Sequence, residues 1–146
     1  MEELFAALEQ AFRDYQSDLE NYERKRRPTD GLLGFGRSLK DDACHERLDG
    51  RVAQAVQRIS ALPPTEEDAE RVVGFLLSVQ DSRAWPLAAE WMLRALERHA
   101  LPLIPFLSSR AAAGFLEGYA RRYKPWDRLP VQRQVYRALV DRATST

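Results

Sequence analysis

Cysteine, histidine and long apolar runs are nearly missing from this sequence. Its 146 residues include one cysteine and two histidines. A single cysteine excludes an intramolecular disulfide framework and a zinc site built from several cysteines. About 20 consecutive apolar residues are needed to span a bilayer, and no run comes close. The acidic, amphipathic start is unlike a secretory signal. These absences predict a cytoplasmic protein that does not bind a membrane.

The chain also has no net charge, since 22 basic side chains balance 22 acidic ones. Overall charge therefore gives no general argument for binding nucleic acid or an anionic membrane. The distribution is uneven, because residues 106–146 carry eight basic and only three acidic side chains. An acidic partner is therefore expected to bind this C-terminal part.

Strand patterns are missing as well, because no segment shows sustained alternation of apolar and polar residues. Apolar residues instead recur every three or four positions, which predicts an all-α fold of about six helices. The length fits one domain, with an N-terminal helix over residues 1–27, a glycine-rich connector over 28–37 and a helical core over 38–146. The helices are predicted at residues 2–25, 38–61, 65–79, 86–99 and 109–123, and from Pro130 onward, with a buried turn or short helix at 101–107. A narrow apolar stripe runs along the first helix. The predicted N-caps are Ser38, Thr65, which is close to a capping box with Asp68, and Ser108 or Ser109.

Successive helices are expected to pair in three antiparallel hairpins. Pro86 and Pro130 open second helices 44 residues apart, and the Arg-Ala-Leu that begins at Arg94 recurs at Arg137. This period resembles that of HEAT and armadillo repeats, over two of the three hairpins. The resemblance implies a short HEAT-like stack. Generic helical amphipathicity explains the period equally well and leaves a compact helical bundle as the alternative.

Several positions inside the helices carry specific expectations. Gly50 interrupts the second helix at a cost of about 1 kcal/mol relative to alanine, and would allow close packing or a kink. Apolar residues of the second and fourth helices are expected to be buried, including Leu62, Leu87 and Trp91. On the last helix, Gln132, Arg133 and Arg137 are expected to face outward.

Residues 31–38 read Gly-Leu-Leu-Gly-Phe-Gly-Arg-Ser, which resembles a Walker A phosphate loop with arginine in place of lysine. That loop requires a preceding strand, and the upstream residues are predicted to be the end of a helix. A nucleotide hydrolase is therefore excluded. A glycine-rich turn at a helix start can still bind an anion, through Gly34, Gly36, Arg37 and Ser38. Alternatively, the segment is a connector whose Leu32, Leu33 and Phe35 pack on the core or dock a partner.

Asp41, His45 and Asp49 share one helix face, because they are spaced four residues apart. Carboxylate and imidazole groups at this spacing can hold a divalent metal ion. The alternative is a solvated polar face stabilised by pairs such as Asp41 with His45. Cys44 lies beside the apolar stripe and is predicted to be a small buried hydrophobic residue.

The C-terminal part interleaves aromatic and basic residues over positions 119–137. This pattern can hold an acidic protein through arginine–carboxylate pairs, and can also stack on nucleic-acid bases. A third interpretation is that Tyr119, Tyr123 and Trp126 close the core while the arginines are solvated. The candidate partner-binding residues are Arg121, Arg122, Lys124, Trp126, Arg128, Arg133 and Arg137.

No convergent catalytic set is visible, and no cofactor is expected. The favoured prediction is a non-enzymatic module for protein–protein interaction, with an unidentified protein partner. The alternative is a protein that binds an anion, a small ligand or a metal ion through residues 31–38 with Asp41 and His45. Nucleic-acid binding through the basic C-terminal part is a further alternative.

Overall fold

The computed structural model describes residues 1–25, 43–82 and 84–145. These residues form six α-helices and no strand, which confirms the all-α prediction. None of the helices in the described ranges is long and apolar enough to cross a membrane. The helices are α1 (Glu2–Lys25), α2 (Cys44–Ser60), α3 (Glu66–Ser82), α4 (Glu90–Leu96), α5 (Ser109–Arg122) and α6 (Pro130–Ala143).

Two compact units divide the chain, one of Glu2–Ala55 and one extending over Val56–Thr146. The boundary between the two units falls inside α2. The expectation of a single helical domain stays a prediction.

In the unit Glu2–Ala55, α1 has the predicted narrow apolar stripe. Its buried side chains recur every three or four residues, so they share one face of the helix. α2 begins at Cys44, and the carbonyl of Ala43 accepts a hydrogen bond from the amide of Arg47 at 3.1 Å. The predicted cap at Ser38 lies outside the described residues. The buried stripe of α1 consists of Leu8, Phe12, Tyr15, Leu19 and Tyr22.

Gly50 lies on an exposed face of α2, and no atom of another element lies within 4 Å of where its Cβ would be. The expectation of close packing at this glycine is therefore wrong. We expect Gly50→Ala to raise the free energy of unfolding by about 1 kcal/mol, because alanine loses less backbone entropy on folding. Urea denaturation measures this gain.

Gly74→Ala is the matched control for Gly50→Ala. Gly74 is also helical, but two ring carbons of Phe115 lie 3.4 Å from where its Cβ would be. The added methyl group has to displace this ring slightly, so the gain in unfolding free energy is smaller than at Gly50. An equal or larger gain at Gly74 would contradict this explanation.

In the unit Val56–Thr146, side chains cap two helices as their sequences predict. The amide of Asp68 donates to the Thr65 hydroxyl at 3.1 Å, and the Thr65 amide donates back to the Asp68 carboxylate at 3.4 Å. This reciprocal arrangement is a capping box. Ser108 caps α5, because its hydroxyl accepts from the amide of Ala111 at 3.0 Å. These contacts fix where α3 and α5 begin.

The helix predicted over residues 86–99 is divided into three parts. α4 is preceded by a 3-10 turn at Leu87–Ala89 and followed by another at Glu97–Ala100. Apolar residues in this segment cover more than one face, and only one face is buried. Leu87 and Trp91 lie outside that face and are exposed, so their predicted burial is wrong, as it is for Leu62. The buried face consists of Ala89, Met92, Leu93, Leu96 and Ala100.

In the unit Val56–Thr146, α5 and α6 pack extensively against each other. The proline-rich segment between residues 101 and 107 forms a short 3-10 turn at Ile104–Phe106 with buried leucine and isoleucine side chains, as predicted. It packs against α3 and α6. The arrangement in three hairpins stays a prediction.

Candidate partner-binding surface

The basic, aromatic C-terminal segment is divided between the core and the surface. Tyr119 and Tyr123 are buried, as expected if they close the core. Trp126 is 84% exposed, so the expectation that it joins them in the core is wrong. Its 3-10 turn, Pro125–Asp127, holds no buried residue. A large indole on a short turn between two helices is an unusual feature for a surface, and it stands out as a candidate contact residue.

Three further large apolar side chains are exposed in the same unit near this turn or near α4. Leu129 directly precedes α6 and is 53% exposed. Leu87 and Trp91 are 88% and 41% exposed, and they are four residues apart, so they lie on one side of the helical segment that ends in α4. We call these four residues, together with Lys124, Arg128 and Arg133 next to the turn of Trp126, the Trp126 surface.

Arg94 joins the two parts of the Trp126 surface. It lies one helical turn after Trp91, and its guanidinium reaches the residue that follows Trp126. The Nη2 group donates to the backbone carbonyl of Asp127 at 2.6 Å, and Nη1 lies 3.6 Å from the Asp127 carboxylate. The guanidinium also lies 4.7 Å from the centroid of the Tyr123 ring. Arg94 is therefore held on three sides and fixes the turn that carries Trp126.

Arg128 and Arg133 hold the other side of this turn. The Arg128 guanidinium stacks 3.9 Å above the centroid of the Tyr136 ring, and its Nε donates to the carbonyl of Tyr123 at 3.0 Å. Arg133 donates to the carbonyl of Arg128 at 3.1 Å. Cation–π and backbone contacts orient these two guanidinium groups without neutralising their charge. Both remain available for a carboxylate.

The other predicted basic residues lie at different places. Arg121 and Arg122 line a groove of about 330 Å³ between α3 and α5, and Arg122 pairs with Asp81. Lys124 is exposed next to the turn of Trp126, and Arg137 is exposed one helical turn after Arg133 on α6. The predicted set is thus split between the groove and the Trp126 surface, and Arg137 belongs to neither.

A buried carboxylate lies behind Arg94. Glu97 is fully buried, and both of its oxygens accept hydrogen bonds. Oε1 accepts from Gln132 Nε2 at 2.7 Å and from the Tyr119 hydroxyl at 3.2 Å. Oε2 accepts from the Tyr123 hydroxyl at 3.1 Å, and Gln80 donates to that same hydroxyl at 2.9 Å. The carboxylate is therefore surrounded by donors from α5 and α6.

The electrostatics of this cluster follow from burial. Loss of water raises the pKa of the Glu97 carboxyl to about 7, although its three donors and the charge of Arg94 lower it. Burial and the nearby Glu97 charge also raise the pKa values of Tyr119 and Tyr123, which keeps both hydroxyls protonated. Glu97 is thus the group in this cluster that changes charge near neutral pH.

Gln132 is fully buried, so the expectation that it faces outward is wrong. Besides its bond to Glu97, its Nε2 donates to the carbonyl of Arg94 at 3.2 Å, and its Oε1 accepts from Arg94 Nη2 at 3.3 Å. Arg133 and Arg137 on the same helix are exposed, as expected. Gln132 therefore connects the buried carboxylate to the arginine that fixes the Trp126 turn.

In the unit Glu2–Ala55, His45 is buried and not on a solvated face as expected. Its Nδ1 lies 2.9 Å from the hydroxyl of Tyr15, and the two ring centroids are 5.5 Å apart. Cys44 is buried, as predicted for a small hydrophobic residue. Near this pair, Arg51 forms an ion pair with Asp14 at 2.6 Å, and its hydrogen bond lowers the pKa of that carboxyl.

The predicted metal and anion sites include residues that lie outside the described ranges. These are Asp41 of the metal site and Gly34, Gly36, Arg37 and Ser38 of the anion site, together with Leu32, Leu33 and Phe35. Among the described residues, no group of three or more histidine, cysteine, aspartate and glutamate side chains is placed to hold a metal ion. The site with His45 and Asp49 therefore stays a prediction.

Comparisons with known proteins identified no similar protein. A scan against protein-family models, a search of curated proteins and a search of solved structures each found no match. The case for a function consequently depends on the geometry of the chain itself.

Proposed function

We propose that this protein is a protein–protein interaction module that binds an acidic partner through the Trp126 surface. The observation that carries the proposal is an 84% exposed indole on a turn held by Arg94. Tryptophan and arginine are the residues that most often dominate binding energy at protein interfaces. A side chain displayed on a fixed turn loses little conformational freedom on binding, which favours affinity.

The charge of the surface selects the class of partner. Lys124, Arg128 and Arg133 lie in a part of the chain with eight basic and three acidic side chains. Of those three acidic residues, Asp127 already faces Arg94. Guanidinium groups bind carboxylates in paired hydrogen bonds, so aspartate and glutamate residues on the partner are their natural complement. Apolar side chains of the partner would cover Trp126 and its neighbours.

The same observations favour a protein over a nucleic acid. Binding of a single strand needs several exposed aromatic rings on a basic surface, because successive bases stack on them. Two of the four aromatic residues in the segment, Tyr119 and Tyr123, are buried and bonded to Glu97, and the ring of Tyr136 is covered by the Arg128 guanidinium. The exposed Leu87 and Leu129 cannot stack on bases, but they gain free energy when a protein partner covers them.

Selection from a displayed library of random dodecapeptides tests the proposal, with counter-selection on the Trp126→Ala variant. We expect the recovered peptides to combine aspartate or glutamate with leucine, phenylalanine or tryptophan. Fluorescence anisotropy of one such labelled peptide should show at least about tenfold weaker binding to Trp126→Ala, because the indole is the central contact. Arg133→Glu should weaken binding most at low salt, because its contribution is electrostatic.

Arg110→Glu provides the matched control for Arg133→Glu. Arg110 is an exposed arginine in the first turn of α5, at the opposite end of that helix from the Trp126 turn. This change should leave the affinity for the peptide unaltered. The proposal is overturned if no acidic peptide is selected, if Trp126→Ala binds as well as the wild type, or if a labelled single-stranded oligonucleotide binds this surface instead.

A further inference from the structure

We propose that ionisation of Glu97 holds the Trp126 turn in its binding position through Gln132 and Arg94. The inference rests on the proposed function, because it concerns regulation of the same surface. Protonation of Glu97 releases the turn and weakens partner binding. The Trp126 surface is then a pH-sensitive binding site.

A continuous path of contacts connects the carboxylate to the surface. Glu97 accepts from the Nε2 of Gln132 at 2.7 Å, which turns the Gln132 Oε1 towards Arg94. Arg94 in turn donates to the carbonyl of Asp127, the residue next to Trp126. Every contact in this path is polar and directional. The orientation of the Gln132 amide therefore depends on whether Glu97 is ionised and only accepts hydrogen bonds, or is protonated and also donates one.

Among the described residues, the side chains bonded to the Glu97 carboxylate all donate to it, and Arg94 adds a positive charge nearby. α5 contributes the hydroxyls of Tyr119 and Tyr123, α6 contributes the amide nitrogen of Gln132, and α4 contributes the charge of Arg94. From α3, Gln80 donates to the Tyr123 hydroxyl. This arrangement is complementary to an ionised carboxylate, which only accepts hydrogen bonds.

A protonated Glu97 carries a hydroxyl that needs an acceptor. The amide oxygen of Gln132 provides one if the amide turns over, which also breaks its bond to the carbonyl of Arg94. The amide nitrogen then faces the Arg94 guanidinium, and two donors cannot bond to each other. Arg94 also loses the attraction of the Glu97 charge. Both effects loosen the contact between Arg94 and Asp127. The hydroxyls of Tyr119 and Tyr123 are the competing acceptors for the Glu97 proton, and if one of them accepts instead, Glu97 titrates with no change at Trp126.

The switch acts near neutral pH, because burial raises the pKa of the Glu97 carboxyl to about 7. The aspartates and glutamates of an acidic partner and the arginines of the surface keep their charges across this range. Histidine is the other side-chain type whose ordinary charge change falls there. His99 lies two residues from Glu97, so the His99→Gln variant is the necessary control.

The test follows the full-length protein by NMR between pH 5.5 and 8.5. The ¹⁵N-labelled indole of Trp126, assigned from the Trp126→Phe variant, reports the turn, and ¹³C-labelled glutamate reports the carboxyl of Glu97 directly. We expect both signals to change with one midpoint near pH 7. The change at Trp126 should disappear in Glu97→Gln. It should also disappear in Gln132→Met, although the Glu97 carboxyl still titrates in that variant. It should persist in His99→Gln.

Three results overturn the inference. In the first, the Glu97 carboxyl signal does not change with pH in this range. In the second, the Glu97 signal changes with pH but the Trp126 indole signal does not. In the third, the Trp126 signal still changes with pH in Glu97→Gln. For the selected acidic peptide, we expect affinity to fall on the order of fivefold from pH 8 to pH 6, and to stay constant in Glu97→Gln. If no peptide binds while the NMR changes occur, the proposed function fails and the coupling stands.

Discussion

Glu97→Leu should lower the free energy of unfolding by about 4 kcal/mol at neutral pH. Leucine fills the volume of the carboxyl group but accepts no hydrogen bond. The hydroxyls of Tyr119 and Tyr123 and the amide of Gln132 then lose their acceptor in a site that excludes water. Each buried donor left without a partner costs about 1–3 kcal/mol, which more than offsets the benefit of removing a buried charge.

Urea denaturation of Glu97→Leu measures this loss, and Glu117→Leu serves as its control. Glu117 is exposed on α5, so its replacement should change stability by less than about 0.5 kcal/mol. Adding Tyr119→Phe to Glu97→Leu removes one of the stranded donors and should recover about 1 kcal/mol. If this added change destabilises the variant further, unsatisfied donors are not the cause of the loss.

The second expected result is a stability that declines as pH rises from about 4.5 to 7. The pKa of the Glu97 carboxyl is raised in the folded state to about 7 from an ordinary value of 4.5. Between these values the folded chain retains a proton that the unfolded chain has released, so raising the pH favours unfolding. The stabilising contribution is complete below pH 4.5 and is lost above pH 7. It amounts to about 3 kcal/mol.

The difference in unfolding free energy between the wild type and Glu97→Gln isolates this contribution. Both proteins carry the same histidines, so histidine titration cancels in the difference. The pKa of Asp14 is lowered from its ordinary value of 3.8, so this carboxyl affects the pH dependence of stability only at lower pH. We expect the difference to change by about 3 kcal/mol across the range from pH 4.5 to 7. A difference that stays constant with pH would show that Glu97 has an ordinary pKa.

Helices were predictable from this sequence because apolar spacing and capping residues act locally. The capping box of Thr65 and Asp68, the cap at Ser108 and the proline at the first position of α6 all mark helix starts as expected. The face that each helix buries was harder to predict. Leu87 and Trp91 are as apolar as the buried Met92 and Leu93, and only packing against other helices decides between the two faces.

The spacing of Gln132 and Glu97 from buried apolar residues on their own helical segments indicates that both side chains are buried. Gln132 precedes Val135 by three residues and Leu139 by seven, so it shares their buried face. Glu97 follows Leu93 by four residues and precedes Ala100 by three, so it also shares a face with buried apolar residues. Polarity alone led to the prediction that Gln132 faces outward, and no prediction was made for Glu97. A polar residue in phase with an apolar stripe predicts a buried network, but its partners on other helices depend on tertiary structure.

Binding of an acidic peptide to the Trp126 surface can be mapped directly, by NMR chemical-shift changes in the full-length protein when the selected peptide is added. We expect changes concentrated in residues 87–94 and 124–133, with the largest at the Trp126 indole and the Arg133 guanidinium. Amides in the first turn of α5, around Arg110, should remain unchanged. Changes concentrated in the groove between α3 and α5, or in the unit Glu2–Ala55, with Trp126 unaffected, would contradict the account.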